Sequence, residues 1–237
     1  AMGHMQFMPS TFLAYAVDGD DDGRIDLWQS LPDAICSAAN YLHSLGWQSG
    51  QPVAVEVRLP AEFDWQQAQL NQRKSVEEWA AEGVSAMNGA LPTAGGDAAI
   101  VLPQGWRGPA LMVFDNFRVI MHWNRSVNYA LAVAHLADRL NGGEALIGGA
   151  DAEQGALSFE QMKVLQQKLA EQGFDAGAAD GYPGLRTQTA IRQYQHAQGL
   201  PMDGYASPAL LQRLLQSSDD DAEEAAEQLG AEPPASP

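Results

Sequence analysis

Residues 16–42 read AVDGDDDGRIDLWQSLPDAICSAANYL. Five aspartates, Asp18, Asp20, Asp21, Asp22 and Asp26, fall within nine residues. Like charges that close repel, so a folded segment of this kind needs either open water or a cation to gather it. The spacing points to the cation. Asp18, Asp20, Asp22, Gly23, Arg24, Ile25 and Asp26 fill positions 1, 3, 5, 6, 7, 8 and 9 of an EF-hand-type loop. In such a loop alternate side chains aim oxygen at a common centre, glycine at position 6 allows the sharp turn, and position 7 offers its backbone carbonyl. Position 12 is Gln29 where a bidentate glutamate is expected, and Asp33 stands in as the missing carboxylate. The expected ligands are therefore Asp18, Asp20, Asp22, the Arg24 carbonyl and Asp33 around a structural Ca²⁺, with Asp26 reaching it through water and Asp21 facing away. No organic cofactor is expected. The competing reading is a solvated acidic loop.

The loop opens onto a helix. DAICSAANYLHSL (33–45) spaces its apolar residues helically, with Asp33 as N-cap and Gly46 as the stop. Cys36 falls in that pattern as a small buried side chain. Further on, PVAVEVRLP alternates like a strand, RKSVEEWAAEG reads as a short helix stopped by Gly83, and DAAIVLP reads as a strand. ALMVFDNFRVIMHW (110–123) reads as more strand, a hairpin turning at Asp115-Asn116. SVNYALAVAHLADRL returns to helix behind a Ser126 cap. Helices thus flank a β-rich insert of about 52–121. The glycine- and alanine-rich stretch 141–156 reads as a connection, with the linker proper at 150–156. Beyond it, 157–216 holds three helices separated by two Asp-Gly turns. The last residues, 217–237, carry seven acids and no base and read as a disordered acidic tail.

The chain has 237 residues and a formal charge of −17. That charge argues against partnership with nucleic acid backbones or anionic membrane surfaces. One cysteine excludes an intramolecular disulfide, and no stretch is long and apolar enough to span a bilayer. His4 and His122 are isolated and read as structural.

Working back from the acidic loop, the chain begins AMGHMQFMPS (1–10), and the later stretch FRVIMHWNRSVNYALAV (117–133) is rich in aromatic and amide side chains. Together with Asp26-Leu27-Trp28, Asp33-Ala34 and Ala39-Asn40-Tyr41-Leu42, these segments resemble the lytic murein transglycosylases of the membrane-bound B type. The resemblance covers about residues 1–140. It implies cleavage of the β-1,4 bond between N-acetylmuramic acid and N-acetylglucosamine in peptidoglycan, with the muramic 6-hydroxyl closing a 1,6-anhydro ring. One glutamate serves as acid and then base, and needs a raised pKa for it. In the family that residue precedes the Ala-Met-Gly segment, so it is expected ahead of Ala1 and no catalytic residue is expected in this chain. Glu56, Glu62, Glu77, Glu78 and Glu82 read as surface charges. The resemblance assigns sugar contacts to Met2, Gln6, Phe7, Trp123, Asn124 and Tyr129; core packing is the other reading of Trp123.

The C-terminal module carries Leu165-Gln166, Leu169, Gly173, Asp180-Gly181, Gly184, Thr187, Gln195, Gly199-Leu200 and Asp203-Gly204. That pattern resembles the peptidoglycan-binding domain 1 family, and a groove near Asp180, Tyr182, Arg186 and Tyr205 is the expected binding surface. The expected fold is mainly α with a small β insert: residues 1–149 as a truncated lysozyme-like α+β catalytic domain, and 157–216 as a three-helix wall-binding module. The expected partners are peptidoglycan glycan strands and peptide stems, with other cell-wall enzymes beside them. The expected place is the periplasm of a Gram-negative bacterium, with outer-membrane attachment through a preceding segment. The alternatives are a non-catalytic wall-binding scaffold and a hydrolytic muramidase.

Overall fold

The structure is a computed structural model describing residues 1–93, 96–149 and 155–216. The chain opens with a tight loop in which Met2 and Phe7 exchange backbone hydrogen bonds of 2.7 and 2.9 Å. Helix α1 (Pro9–Tyr15) follows, then the acidic loop, then α2 (Leu31–Ser44). The N-cap of α2 is Ser30, whose hydroxyl accepts from the Asp33 N–H, and not Asp33 as the sequence led us to expect. Asp33 sits one turn in, almost fully buried, with its carboxylate turned back on the loop. Cys36 is exposed rather than buried, because the buried face of α2 runs through Asp33, Ala34 and Ser37. Gly46, at φ 97°, takes the left-handed turn that ends the helix.

The insert is a four-stranded antiparallel sheet of order β2-β1-β4-β3, made of β1 (Ala54–Arg58), β2 (Ser85–Ala86), β3 (Ala99–Val101) and β4 (Ala110–Val113). The expected hairpin at Asp115-Asn116 does not form. The strand ends at Val113 and residues Asp115–Trp123 are helix α4. Both halves of the segment are apolar, so the change of period from two to 3.6 is masked. Asn116 is fixed there by distant partners: its buried amide accepts from Gln48 N–H and donates to the carbonyls of Gln48 and Gln51. One face of the sheet packs on Trp79 of α3 (Val76–Ala81) and on Phe63. The other packs on Phe117 and Ile120 of α4 and on Ala130, Leu131 and Ala134 of α5 (Val127–Leu140). Ser126 caps α5 as expected.

Residues 141–149 are tied down. Glu56 accepts from the N–H groups of Ile147 and Gly148 at 2.6–3.1 Å, and Asn88 donates to Glu144. Most of the expected linker, at 150–154, lies outside the described residues, as does the expected acidic tail at 217–237.

The C-terminal module is α6 (Phe159–Glu171), α7 (Leu185–Ala197) and α8 (208–216) around Leu165, Leu169, Ile191, Tyr194 and Leu214. Its two Asp-Gly-Tyr turns share one hydrogen-bond pattern. Gln166 accepts from Gly181 N–H and donates to Asp180, which accepts from Tyr182 N–H. Gln195, Asp203, Gly204 and Tyr205 repeat this bond for bond. The second turn also touches the insert: Asp203 Oδ2 accepts from the backbone N–H of Trp106 at 2.8 Å.

Candidate functional site

The first candidate surface lies where the two ends of the N-terminal domain meet. Phe7, from the opening loop, packs edge-on against Trp123 at 5.3 Å and Tyr41 at 5.7 Å, and Tyr15 adjoins Tyr41 at 4.8 Å. Phe7 is 2 % exposed. It therefore forms the floor of the cluster and not an open wall. Trp123 and Met2 are half-buried, while Gln6, Asn124 and Tyr129 are exposed. Gln6 holds a left-handed φ of 52° and donates its side-chain amide to Gly3 O at 2.8 Å. Gly3 passes so close to Leu27 that a Cβ would lie 2.4 Å from the Leu27 carbonyl oxygen. Asn124 Oδ1 accepts from Ser126 N–H, which turns the chain into α5 and leaves the Asn124 amide donors outward. Sequence reasoning missed Tyr41 as a member of this cluster. Its signal was the helical spacing from the buried positions of α2.

The acidic loop is the second. Carboxylate oxygens of Asp18, Asp20 and Asp22 come within 4.8 Å of one another. Ca²⁺ binds oxygen at roughly 2.3–2.6 Å, so oxygens across one ion stand about 5 Å apart, and this trio fits such an ion. Asp18 also accepts from the N–H groups of Asp22 and Gly23, which closes the turn at Gly23 (φ 85°). Asp20 accepts from Ser30 Oγ at 2.7 Å. Asp21, at φ 59°, stays outside the trio. Asp33, expected to close the site, lies outside the trio, as does Asp26, expected to reach the ion through water. Asp26 Oδ1 accepts from the N–H groups of Trp28 and Gln29. Asp33 accepts from Gly19 N–H on one oxygen and from Asp26 N–H on the other, each at 2.7 Å. Those N–H donors, that of Asp26 foremost, hold the Asp33 carboxyl below its usual pKa despite its burial. Asp33 is thus a clasp across the loop.

In the C-terminal module the four expected residues divide. Tyr182, exposed, packs on Phe159, and Arg186 lies 3.8 Å from Asp175. Asp180 is held below its usual pKa, chiefly by the Tyr182 N–H. Tyr205 instead lies at the contact with the insert, beside Gly105. Among the glutamates, Glu56 anchors Ile147 and Gly148, Glu82 pairs with Lys74, and Glu78 closes a capping box with Ser75. The Ser75 N–H holds the Glu78 carboxyl below its usual pKa, the opposite of what a general acid requires.

Residues 1–138 match the Transglycosylase SLT domain family. The chain belongs to that family. Behind the SLT domain, residues 159–214 match a peptidoglycan binding domain family. The SLT domain and the module behind it superpose together on SltB3 from Pseudomonas aeruginosa, solved with NAG-anhNAM-pentapeptide. The TM-score is 0.85 at 49% identity, over 90% of this chain and 58% of that one. Membrane-bound lytic murein transglycosylase B of Escherichia coli (strain K12) is 36% identical over 148 residues, 57% of this chain and 37% of the relative. The Escherichia coli lytic transglycosylase Slt35, solved in complex with calcium, is 35% identical with a TM-score of 0.50. That match covers 60% of this chain and 44% of the other. The chain thus spans between about two fifths and three fifths of these relatives. Among the described residues no helix is long and apolar enough to cross a membrane.

Proposed function

We propose that this chain is the later part of a peptidoglycan lytic transglycosylase that cleaves the MurNAc–GlcNAc β-1,4 bond and leaves 1,6-anhydro-MurNAc. One observation carries the reading. An SLT domain and a peptidoglycan binding domain stand on one chain, and 90% of this chain superposes on SltB3. In this reading a glutamate from a preceding segment is the acid and base. The exposed Asn124 amide and Gln6 meet sugar acetamido or hydroxyl groups, and Trp123, backed by Phe7 and Tyr41, offers its ring to a sugar face. Met2 and Tyr129 border the same groove. The module at 157–216 holds the enzyme on the wall through the surface around Asp180, Tyr182 and Arg186. The cellular place is the periplasm, with attachment to the outer membrane, and other cell-wall enzymes are neighbours there.

The acidic loop belongs to this proposal as a structural Ca²⁺ site. Asp18, Asp20 and Asp22 hold the ion with the Arg24 carbonyl, and the ion supplies charge neutralisation and no chemistry. Its place between the opening loop and α2 is what matters: His4 N–H donates to the Leu27 carbonyl at 2.8 Å, so the loop braces the wall of the groove.

The test uses two proteins, residues 1–237 and the same chain extended by the segment that precedes it. On purified peptidoglycan the extended protein releases 1,6-anhydromuropeptides, and residues 1–237 bind glycan without cleaving it. Reducing-end N-acetylmuramic acid from the extended protein makes it a muramidase. No turnover by the extended protein makes it a wall-binding scaffold.

A further inference from the structure

The Asp203–Trp106 contact leaves a cleft of about 290 Å³ between the insert and the C-terminal module. One wall is Gln104, Trp106 and Arg107; the other is Tyr205, Ser207 and Arg213. Trp106 is 42 % exposed, stands 6.0 Å from the Trp65 ring, and carries the Arg107 guanidinium 4.8 Å over its face. Arg107 and Arg213 are both exposed, and among the described residues neither is paired with a carboxylate. Among the described residues the one acid lining the cleft, Asp203, is already used. Asp203 Oδ1 accepts from Gln195 Nε2 and Tyr205 N–H, and Oδ2 accepts from Trp106 N–H. Among the described residues, then, two guanidiniums without a carboxylate partner line one small cleft in a chain of net charge −17.

Guanidinium groups favour planar carboxylates, which they can grip with two parallel hydrogen bonds. The volume limits the ligand. Sites for drug-sized molecules run from roughly 300 to 1,000 Å³, so this one holds the end of a peptide and not a run of sugars. We infer that the cleft between Trp106–Arg107 and Tyr205–Arg213 binds the carboxylate-bearing end of a peptidoglycan stem peptide. The guanidiniums take the carboxylate, and the Trp106 and Tyr205 rings take the adjoining side chain. This rests on the peptidoglycan reading above and deepens it, because it gives the junction of the two modules a ligand of its own. The site exists only while the modules are docked, since each supplies one arginine.

The experiment titrates residues 1–237 with NAG-NAM-pentapeptide and with the same molecule whose peptide carboxylates are amidated. Binding of each is measured by calorimetry beside co-sedimentation with intact peptidoglycan. Arg107→Ala and Arg213→Ala should each weaken the free-acid probe by about tenfold, the value of one charge-assisted hydrogen bond. The amidated probe should bind the unaltered chain more weakly by a similar factor and respond little to either substitution. Equal binding of both probes, or a double variant that binds the free acid like the unaltered chain, overturns the cleft while co-sedimentation leaves the wall reading standing. If the unaltered chain neither binds the probe nor co-sediments, the wall reading falls and the cleft with it. Both arginine side chains to be replaced are exposed, so the variants keep the fold.

Discussion

Asp203 Oδ2 and the backbone N–H of Trp106 lie 2.8 Å apart and join the last turn of the C-terminal module to the edge of the β insert. The same carboxylate holds its own turn through Gln195 and Tyr205. Its counterpart in the first turn, Asp180, makes the matching bonds to Gln166 and Tyr182 but has no bond to the insert. The module thus carries two copies of one turn, and one of them serves as a fastening.

Comparing the two copies separates fastening from folding. Asp203→Ala removes the acceptor of the Gln195 amide and of the Tyr205 and Trp106 N–H groups, and should cost the module about 1–3 kcal/mol. Asp180→Ala should cost less, because the Gln166 amide keeps Tyr182 O and Thr187 Oγ1 as acceptors and the Tyr182 N–H is exposed. Only Asp203→Ala should also free the Trp106 amide. Hydrogen exchange at Trp106 is the measurement, with faster exchange expected for Asp203→Ala and native-like protection for Asp180→Ala. Equal exchange in both variants would show that the contact does not hold the modules together.

The aromatic cluster around Phe7 gives a second expectation. Phe7→Ala removes a fully buried ring that touches Trp123 and Tyr41, and should cost about 3–5 kcal/mol in denaturant unfolding of the N-terminal domain. Asn124→Ala removes an exposed amide and the turn bond to Ser126, so a loss near 1 kcal/mol is expected. Comparable losses would mean that Phe7 is not the floor of this cluster.

Much of this was legible because it depends on local chemistry. The cap at Ser126 and the stops at Gly46 and Gly83, like the Asp-Gly turns, are decided within a few residues. The segment 110–123 was misread because Asp115-Asn116, a polar pair between two apolar halves, looks like a hairpin turn, while Val113 and Phe117 on either side are both buried. Only the bonds from Asn116 to residues 48–51 reveal that change. Asp33 was read as a ligand and a cap because a carboxylate after proline suits both roles. Its true partners, the N–H groups of Gly19 and Asp26, are set by how the loop folds back on α2. That the segments at 2–7 and 123–129 belong together was suggested through resemblance, since nothing local announces that they meet at Phe7 and Trp123. Trp106 and Arg107 were passed over because they act only with the other module in place.

Asp33 also sets a pH dependence. Its folded pKa is lowered, so it binds its proton less readily folded than unfolded. The stability it contributes is complete above the unfolded carboxylate range, near pH 4, and is lost as pH falls through the lower folded value. Asp33→Asn keeps the shape but sets an amide donor against a backbone N–H. The variant should melt well below the unaltered chain at pH 7, and the gap should narrow steadily as the pH falls below 4. A gap that stays constant down to pH 2 would show that the charge on Asp33 does not contribute to folding.

The acidic loop gives the last expectation, and Asp33 is its internal control. Three carboxylates within 4.8 Å repel one another when no ion lies between them, and an ion bound only by the folded loop stabilises the fold by mass action. In chelator-treated buffer, Ca²⁺ at 100 times its dissociation constant should add about 2.7 kcal/mol and raise the melting temperature of the N-terminal domain. Asp20→Ala and Asp22→Ala should abolish that rise. Asp21→Ala should keep it, because Asp21 lies outside the trio. Asp33→Ala should lower the melting temperature with and without Ca²⁺, since it breaks the bonds to Gly19 and Asp26 whether or not an ion is bound. Loss of the rise in Asp21→Ala as complete as in Asp20→Ala, or no rise in the unaltered chain, would reduce the loop to a solvated acidic turn held shut by Asp33 alone.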